Sequence, residues 1–209
     1  MSPEFFPAVR KYVNERIAEF GLITELRKRQ LREVTNYVQS CRRAHQLARL
    51  TFICTHNSRR SHLSQIWAAV AADRFGIDGV ETFSGGTEAT AFAPQAIAAI
   101  GRAGLKVTTP PDESNPRHEV RYKDSGRVLV CFSKVYHDAP NPGGDYCAVM
   151  TCTHADSHCP VVRGAAARLA IPFDDPKAAD GSPVEAATYD ERCRQIAREM
   201  LFAFSEIES

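Results

Sequence analysis

No apolar run in this sequence approaches the length of a membrane span, and Met1-Ser2-Pro3-Glu4 opens no stretch of the signal-peptide kind. Charge of one sign is not in excess. The 26 Lys/Arg face 25 Asp/Glu, a net of +1, so no chain-wide basic field invites nucleic acid. There is no internal repeat and no low-complexity tract, which excludes solenoids and arrays. A Cys-x2-Cys knuckle is also missing. The seven cysteines are odd in number and scattered, which argues against a secreted disulfide framework and for reduced thiols in a cytoplasmic protein. What remains is 209 residues, 44% hydrophobic and 24% charged, enough to bury the core of one domain with an appendage.

Two regions read differently. In residues 1–48, Val9, Val13, Ile17 and Phe20 fall at helical spacing, as do Leu31, Val34, Val38 and Cys41. Gly21 lies between them, so the segment is a helical hairpin or one bent helix. It carries nine Lys/Arg against five Asp/Glu, a net of +4 that leaves −3 for residues 49–209. The cluster Arg27-Lys28-Arg29 suits a solvated helix face or an acidic or phosphate partner. The apolar stripes predict packing on the rest of the chain, or on a second copy as a homodimer, through Val13, Ile17, Phe20, Val34 and Val38.

From residue 49 the pattern alternates strand and helix, as in a parallel sheet. Strands are expected at 49–53, 80–84, 146–150 and 169–171. Helices are expected at 61–75, from Pro94 to about 101–104, and at 184–204. Residues 105–145 are rich in Pro, Gly and Asn and predict a hairpin with arms 118–122 and 128–132. Ligands of open parallel sheets bind beyond the carboxyl ends of the strands. Those ends are followed by Cys54, Ser84, Cys152 and Asp175, which should converge on one rim.

The run Cys54-Thr55-His56-Asn57-Ser58-Arg59-Arg60-Ser61 joins the first strand to its helix. Its backbone N–H groups can wrap one tetrahedral oxyanion, and the helix adds its positive end. A cysteine in such a field favours the thiolate over the thiol, and Arg60 offers a planar two-pronged clamp. Cys54 therefore reads as the nucleophile, with Thr55, His56, Asn57, Ser58, Arg59 and Arg60 around the anion.

That loop resembles the phosphate-binding loop of the low-molecular-weight protein tyrosine phosphatase superfamily, whose core is Cys-x5-Arg-Ser. Two further motifs follow in order. The segment from Cys152 to Cys159 and Pro160 is similar to the redox segment of the superfamily's thioredoxin-coupled arsenate reductases, and Phe173-Asp174-Asp175-Pro176 is similar to its Asp-Pro loop. The resemblance implies an α/β catalytic domain over 49–209, with a four-stranded parallel sheet flanked by helices. An N-terminal helical extension (1–48) and a hairpin insertion within 110–145 are added to it. It further implies that Cys54 attacks arsenate, Ser61 steadies the thiolate and Asp175 protonates the leaving oxygen. Cys152 then forms a disulfide with Cys54, and Cys159 resolves it for thioredoxin. No cofactor is implied, and the segment 152–159 would have to move.

Departures from the pattern are visible too. His56 stands where a small residue is usual, and would be strained if the site needs positive φ. Arg59 replaces a second cysteine and adds charge at the pocket. Gln65 replaces an acidic residue of a potassium site, so that site is not carried over, although Asn57 and Ser84 match it. Lys177-Ala178 stands where phosphotyrosine-specific relatives carry aromatics. Other readings remain open: a phosphatase acting on phosphotyrosine or a small phosphomonoester through Cys54, with the extra cysteines protecting it from overoxidation; a non-catalytic oxyanion or redox sensor; and zinc held among Cys147, Cys152, His154, His158 and Cys159. Cys41, Cys131, Cys193 and Trp67 read as core.

Overall fold

The computed structural model describes residues 4–111, 114–158 and 161–208. Helices α1 (Pro7–Ala18) and α2 (Glu25–Arg43) come first, joined through a 3-10 turn at Phe20–Leu22. Then follow β1 (Ala48–Cys54), α3 (Arg60–Phe75), β2 (Val80–Gly86) and α4 (Pro94–Arg102). Three short strands come next, β3 (Lys106–Thr108), β4 (His118–Arg121) and β5 (Leu129–Cys131). The chain closes with β6 (Tyr146–Met150), α5 (Thr153–His158), β7 (Ala165–Ala170) and α6 (Glu185–Ser205).

Local chemistry sets these boundaries. Pro7 and Pro94 open α1 and α4, where a missing N–H does no harm. Thr24 caps α2, its hydroxyl accepting from the Arg27 amide at 3.3 Å. Gly76, at φ 65°, ends α3 in the left-handed conformation and lets the Ile77 amide reach back to Ala72 at 2.9 Å.

The main sheet is parallel in the order β2-β1-β6-β7. The central strand β1 is apolar on both faces, with Leu50, Phe52 and Ile53 fully buried, as a strand covered by helices on each side requires. Helix α3 lies against it with Leu63, Ile66, Trp67 and Val70 out of water, and α6 packs over α3 and α4. The second sheet is antiparallel, β3-β4-β5, with His118 opposite Cys131 and Val120 opposite Leu129.

Some expectations shift. The last strand of the main sheet begins at Ala165, earlier than the sequence suggests, because β6 pairs with an alanine-rich segment of weak strand propensity. Strand β3, which completes the hairpin into a three-stranded sheet, gives no signal of its own in the sequence. Ser84 does not follow β2 but lies within it, hydrogen-bonded to His62 Nδ1 at 3.0 Å.

The N-terminal helices share the core of the remaining chain. Val9, Val13, Leu31, Val34 and Val38 are fully buried, and both helices pack on α6. Ile17 and Phe20 are half-buried there, Phe20 edge-on to Phe202 with centroids 5.5 Å apart. The apolar faces expected to seek the rest of the chain or a second copy are thus covered within the chain. Arg27 is no solvated charge either, since its Nε donates to Glu199 Oε2 at 2.8 Å.

Candidate active site

The loop from β1 to α3 turns its carbonyl groups outward. Cys54 O accepts from the Thr87 amide at 3.1 Å, and Thr55 O from the Glu88 amide at 2.9 Å. The carbonyl of His56 accepts from Ser133 Oγ at 2.9 Å and from Thr90 Oγ1 at 3.2 Å. Ser58 O accepts from the Ala93 amide at 2.9 Å. Among the described residues, the amides of residues 55–59 donate to no protein acceptor. An oxyanion cradle needs this division, with carbonyls taken up by neighbouring segments and N–H groups left unused. Gly86 makes this fit possible. A Cβ there would lie 2.6 Å from Thr55 O and 2.7 Å from Asn57 N, so β2 can run under the loop only as glycine.

Asn57 is the conformational key. Its φ of 43° is left-handed, a region that asparagine tolerates better than most residues. The strain considered for His56 therefore does not arise, because the turn falls one residue later. The Asn57 side chain is fully used: Oδ1 accepts from the Lys134 amide at 3.0 Å, and Nδ2 donates to Ser61 Oγ at 2.9 Å. With that lone pair occupied, the Ser61 hydroxyl is free to donate to Cys54 Sγ, 3.1 Å away. Cys54 is itself 3% exposed.

Arg60 and Asp175 meet. Arg60 Nη2 donates to Asp175 Oδ2 at 2.6 Å, and Nη1 to Phe173 O at 3.0 Å. Among the described residues its Nε is buried without a hydrogen-bond partner. Asp175 also caps the 3-10 turn Pro176–Ala179 by accepting from the Lys177 amide at 3.1 Å. Asp174 points elsewhere and pairs with Arg192 at 3.2 Å. Arg59, expected to add charge at the anion, is instead tied down. Its Nε donates to Tyr189 OH at 2.7 Å and its Nη2 to Asp180 Oδ2 at 3.3 Å. It fixes the start of α3 to α6.

Cys152 lies just beyond β6, buried in a small apolar cluster that also contains Cys54, Ile53, Met150 and Ala155. Its Sγ is 3.6 Å from Thr55 Oγ1 and accepts from the Ala155 amide at 3.3 Å. Thr55 Oγ1 is in turn 3.4 Å from His154 Nδ1. The residues after Cys152 form α5. Cys159 lies outside the described residues. Among the described residues no three His, Cys, Asp or Glu side chains converge as metal ligands. Cys147, in the zinc-type set, is fully buried in β6 with its thiol pushed up to about 12 by burial.

Behind the loop sits a buried layer with little local sequence signature. His62 is fully buried against Phe92, centroids 4.2 Å apart, and burial holds its pKa well below the usual range, with Lys134 and His118 acting in the same direction. Lys134, 5% exposed, has its ammonium 4.6 Å from the Phe132 ring, and burial lowers its pKa to about 8. Nothing in the local sequence around Lys134 marks its place behind the loop.

Cys54, Arg60 and Asp175 thus lie toward the carboxyl end of the parallel sheet, around the loop that joins β1 to α3. No family model matches the chain. An arsenate reductase of Bacillus cereus is 26% identical over 157 residues, spanning 75% of this chain and 92% of that protein. An arsenate reductase of Bacillus licheniformis is 25% identical over 155 residues, spanning 74% and 93%. Among solved structures, a mutant of YwlE from Bacillus subtilis superposes with a TM-score of 0.52 at 13% identity, covering 76% of this chain and 97% of its own. A low-molecular-weight protein tyrosine phosphatase from T. tengcongensis gives 0.51 at 14% identity, covering 77% and 99%. The chain therefore shares the fold of the low-molecular-weight protein tyrosine phosphatases. Its sequence is similar to those two arsenate reductases over three quarters of its length.

Proposed function

We propose that this protein reduces arsenate to arsenite. The observation that carries the reading is the second thiol: Cys152 shares an apolar cluster with Cys54 and touches Thr55 of the oxyanion loop. The ester-hydrolysis steps themselves involve Cys54 and not Cys152. In the proposed sequence the Cys54 thiolate attacks arsenate held by the loop amides and Arg60. An arsenate oxygen leaves as water, taking its proton from Asp175. The Cys152 thiolate then attacks Cys54 Sγ. The S–S bond forms as the S–As bond breaks, and that electron pair stays on arsenic, taking it from As(V) to As(III). The Cys159 thiolate attacks Cys152 Sγ, breaking the Cys54–Cys152 bond and releasing the Cys54 thiolate, and thioredoxin reduces the resulting Cys152–Cys159 disulfide. Arsenate is here a substrate, and the scheme calls for no resident cofactor.

The Cys54–Arg60–Asp175 arrangement alone also suits a phosphomonoesterase, since the loop takes phosphate and arsenate alike. The deciding assay is arsenate-dependent NADPH oxidation with thioredoxin and its reductase, run beside p-nitrophenyl phosphate hydrolysis. Arsenate turnover that vanishes in Cys152→Ser and Cys159→Ser, while ester hydrolysis survives, is the expected result. Ester hydrolysis dependent on Cys54 with no arsenate turnover would move the chain to the phosphatase reading.

A further inference from the structure

The N-terminal helices reach the acid loop through one side chain. Arg27, near the start of α2, donates from Nε to Glu199 Oε2 on α6 at 2.8 Å and from Nη2 to the carbonyl of Pro172 at 3.0 Å. The same guanidinium lies 4.8 Å from the centre of the Phe173 ring. Phe173 is held from the other directions as well. Its amide donates to Thr151 O at 3.0 Å, and its carbonyl accepts from Arg60 Nη1 at 3.0 Å. Two residues later, Asp175 meets Arg60 Nη2. The strip 172–173 is thus gripped between an arginine of the oxyanion loop and an arginine of the N-terminal hairpin.

We infer that Arg27 is a positioning residue for the general acid, and that the N-terminal hairpin acts as a brace setting where Asp175 stands relative to the bound oxyanion. A planar fork can serve Glu199 and the Pro172 carbonyl at once, which a lysine ammonium cannot do in the same geometry. Glu199 is 3% exposed and also accepts from Gln195 Nε2 at 3.0 Å, so the far end of the brace is itself fixed. A misplaced acid fails most when the leaving group is poor, since a good leaving group departs with little proton transfer. The inference rests on the acid role proposed above for Asp175, and it holds for arsenate and phosphate esters alike.

The test uses the full chain, with Arg27→Lys and Arg27→Gln beside Asp175→Asn. Phenyl phosphate and arsenate, both with poor leaving groups, and p-nitrophenyl phosphate, with a good one, are the probes. The expected result is a loss of about tenfold in kcat for Arg27→Lys on the first two, against less than about twofold on the third. Adding Arg27→Lys to Asp175→Asn should cost almost nothing more, because the residue acts through the acid it positions. Equal losses on all three substrates, or full additivity with Asp175→Asn, would make Arg27 a purely structural residue and overturn the brace. A separate failure is visible in the same data. If Asp175→Asn alone shows no leaving-group dependence, Asp175 is not the acid, and the brace falls with it.

Discussion

Asn57 combines two demands in one residue: a left-handed backbone, and a side chain that joins the Lys134 amide to the Ser61 hydroxyl. The demands are separable by substitution. Asn57→Gly keeps the backbone and loses both side-chain hydrogen bonds, whereas Asn57→Ala loses them and adds strain. Urea unfolding should find the alanine variant less stable than the glycine variant by about 1 kcal/mol. Ser61 acts on the chemistry instead. In the proposed reaction its hydroxyl donates to the Cys54 sulfur as that atom attacks, so Ser61→Ala should slow arsenate turnover by roughly 10–100-fold with little change in melting temperature. Measuring both quantities on one preparation checks the claim. The Cys54–Arg60–Ser61 spacing was readable because it opens where the apolar run of β1 ends, and the Asp175-Pro176 step was readable as a motif, although β7 already ends at Ala170. That Asn57 helps order the loop was within reach too; that it is the left-handed residue was not, since nothing in the order of letters tells which residue of a short loop must turn that way. Arg59 misleads for a related reason: its partners Asp180 and Tyr189 lie more than a hundred residues away.

At the level of elements, the site is a set of strand ends brought level by parallel pairing. Gly86 on β2 pairs with Cys54 on β1, which puts the glycine directly under the loop. Gly86→Ala should therefore destabilise the protein by about 1–3 kcal/mol and displace the loop amides, detected as weaker competition by inorganic phosphate or arsenate in the ester assay. Gly21, which has open space around it, should accept alanine without either effect. The core strands were legible where they are continuous apolar runs, as in β1 and β6. Strand β7 was misjudged because its first half is alanine, which carries no strand signal until β6 supplies its partner. Residues 1–48 showed their helical faces plainly. What those faces cover is a tertiary fact, and it lay outside any local pattern.

The whole molecule carries a pH response in its buried layer. His62 has a folded pKa below its unfolded value of 6.5, so below that pH the unfolded chain binds a proton that the folded chain refuses. Stability should fall as the solution is acidified through about 6.5. His62→Gln, which can keep a hydrogen bond to Ser84, should flatten urea midpoints measured between about pH 5 and 7.5. Lys134 contributes at the other end. Its pKa drops from 10.5 to about 8 on folding, so its burial penalty is in full force below about 8 and is relieved as pH rises toward 10.5. Lys134→Met should consequently raise stability at neutral pH by about 1–3 kcal/mol, with the advantage shrinking in alkali. Thermal unfolding at pH 7 and pH 10 distinguishes the two regimes.

Trp67 gives the fold an optical consequence. It is the chain's single tryptophan, fully buried on α3, stacked on Tyr12 of α1 at 5.2 Å, with its indole N–H 3.3 Å from the Cys193 sulfur on α6. One chromophore therefore sits where the N-terminal hairpin, the helix that begins in the oxyanion loop and the C-terminal helix meet. Its emission reads whether those three bodies are seated together, with no label attached and no second indole to confuse the signal. Lifting α1 away would remove the tyrosine ring and let water reach the indole, which shifts the emission to the red.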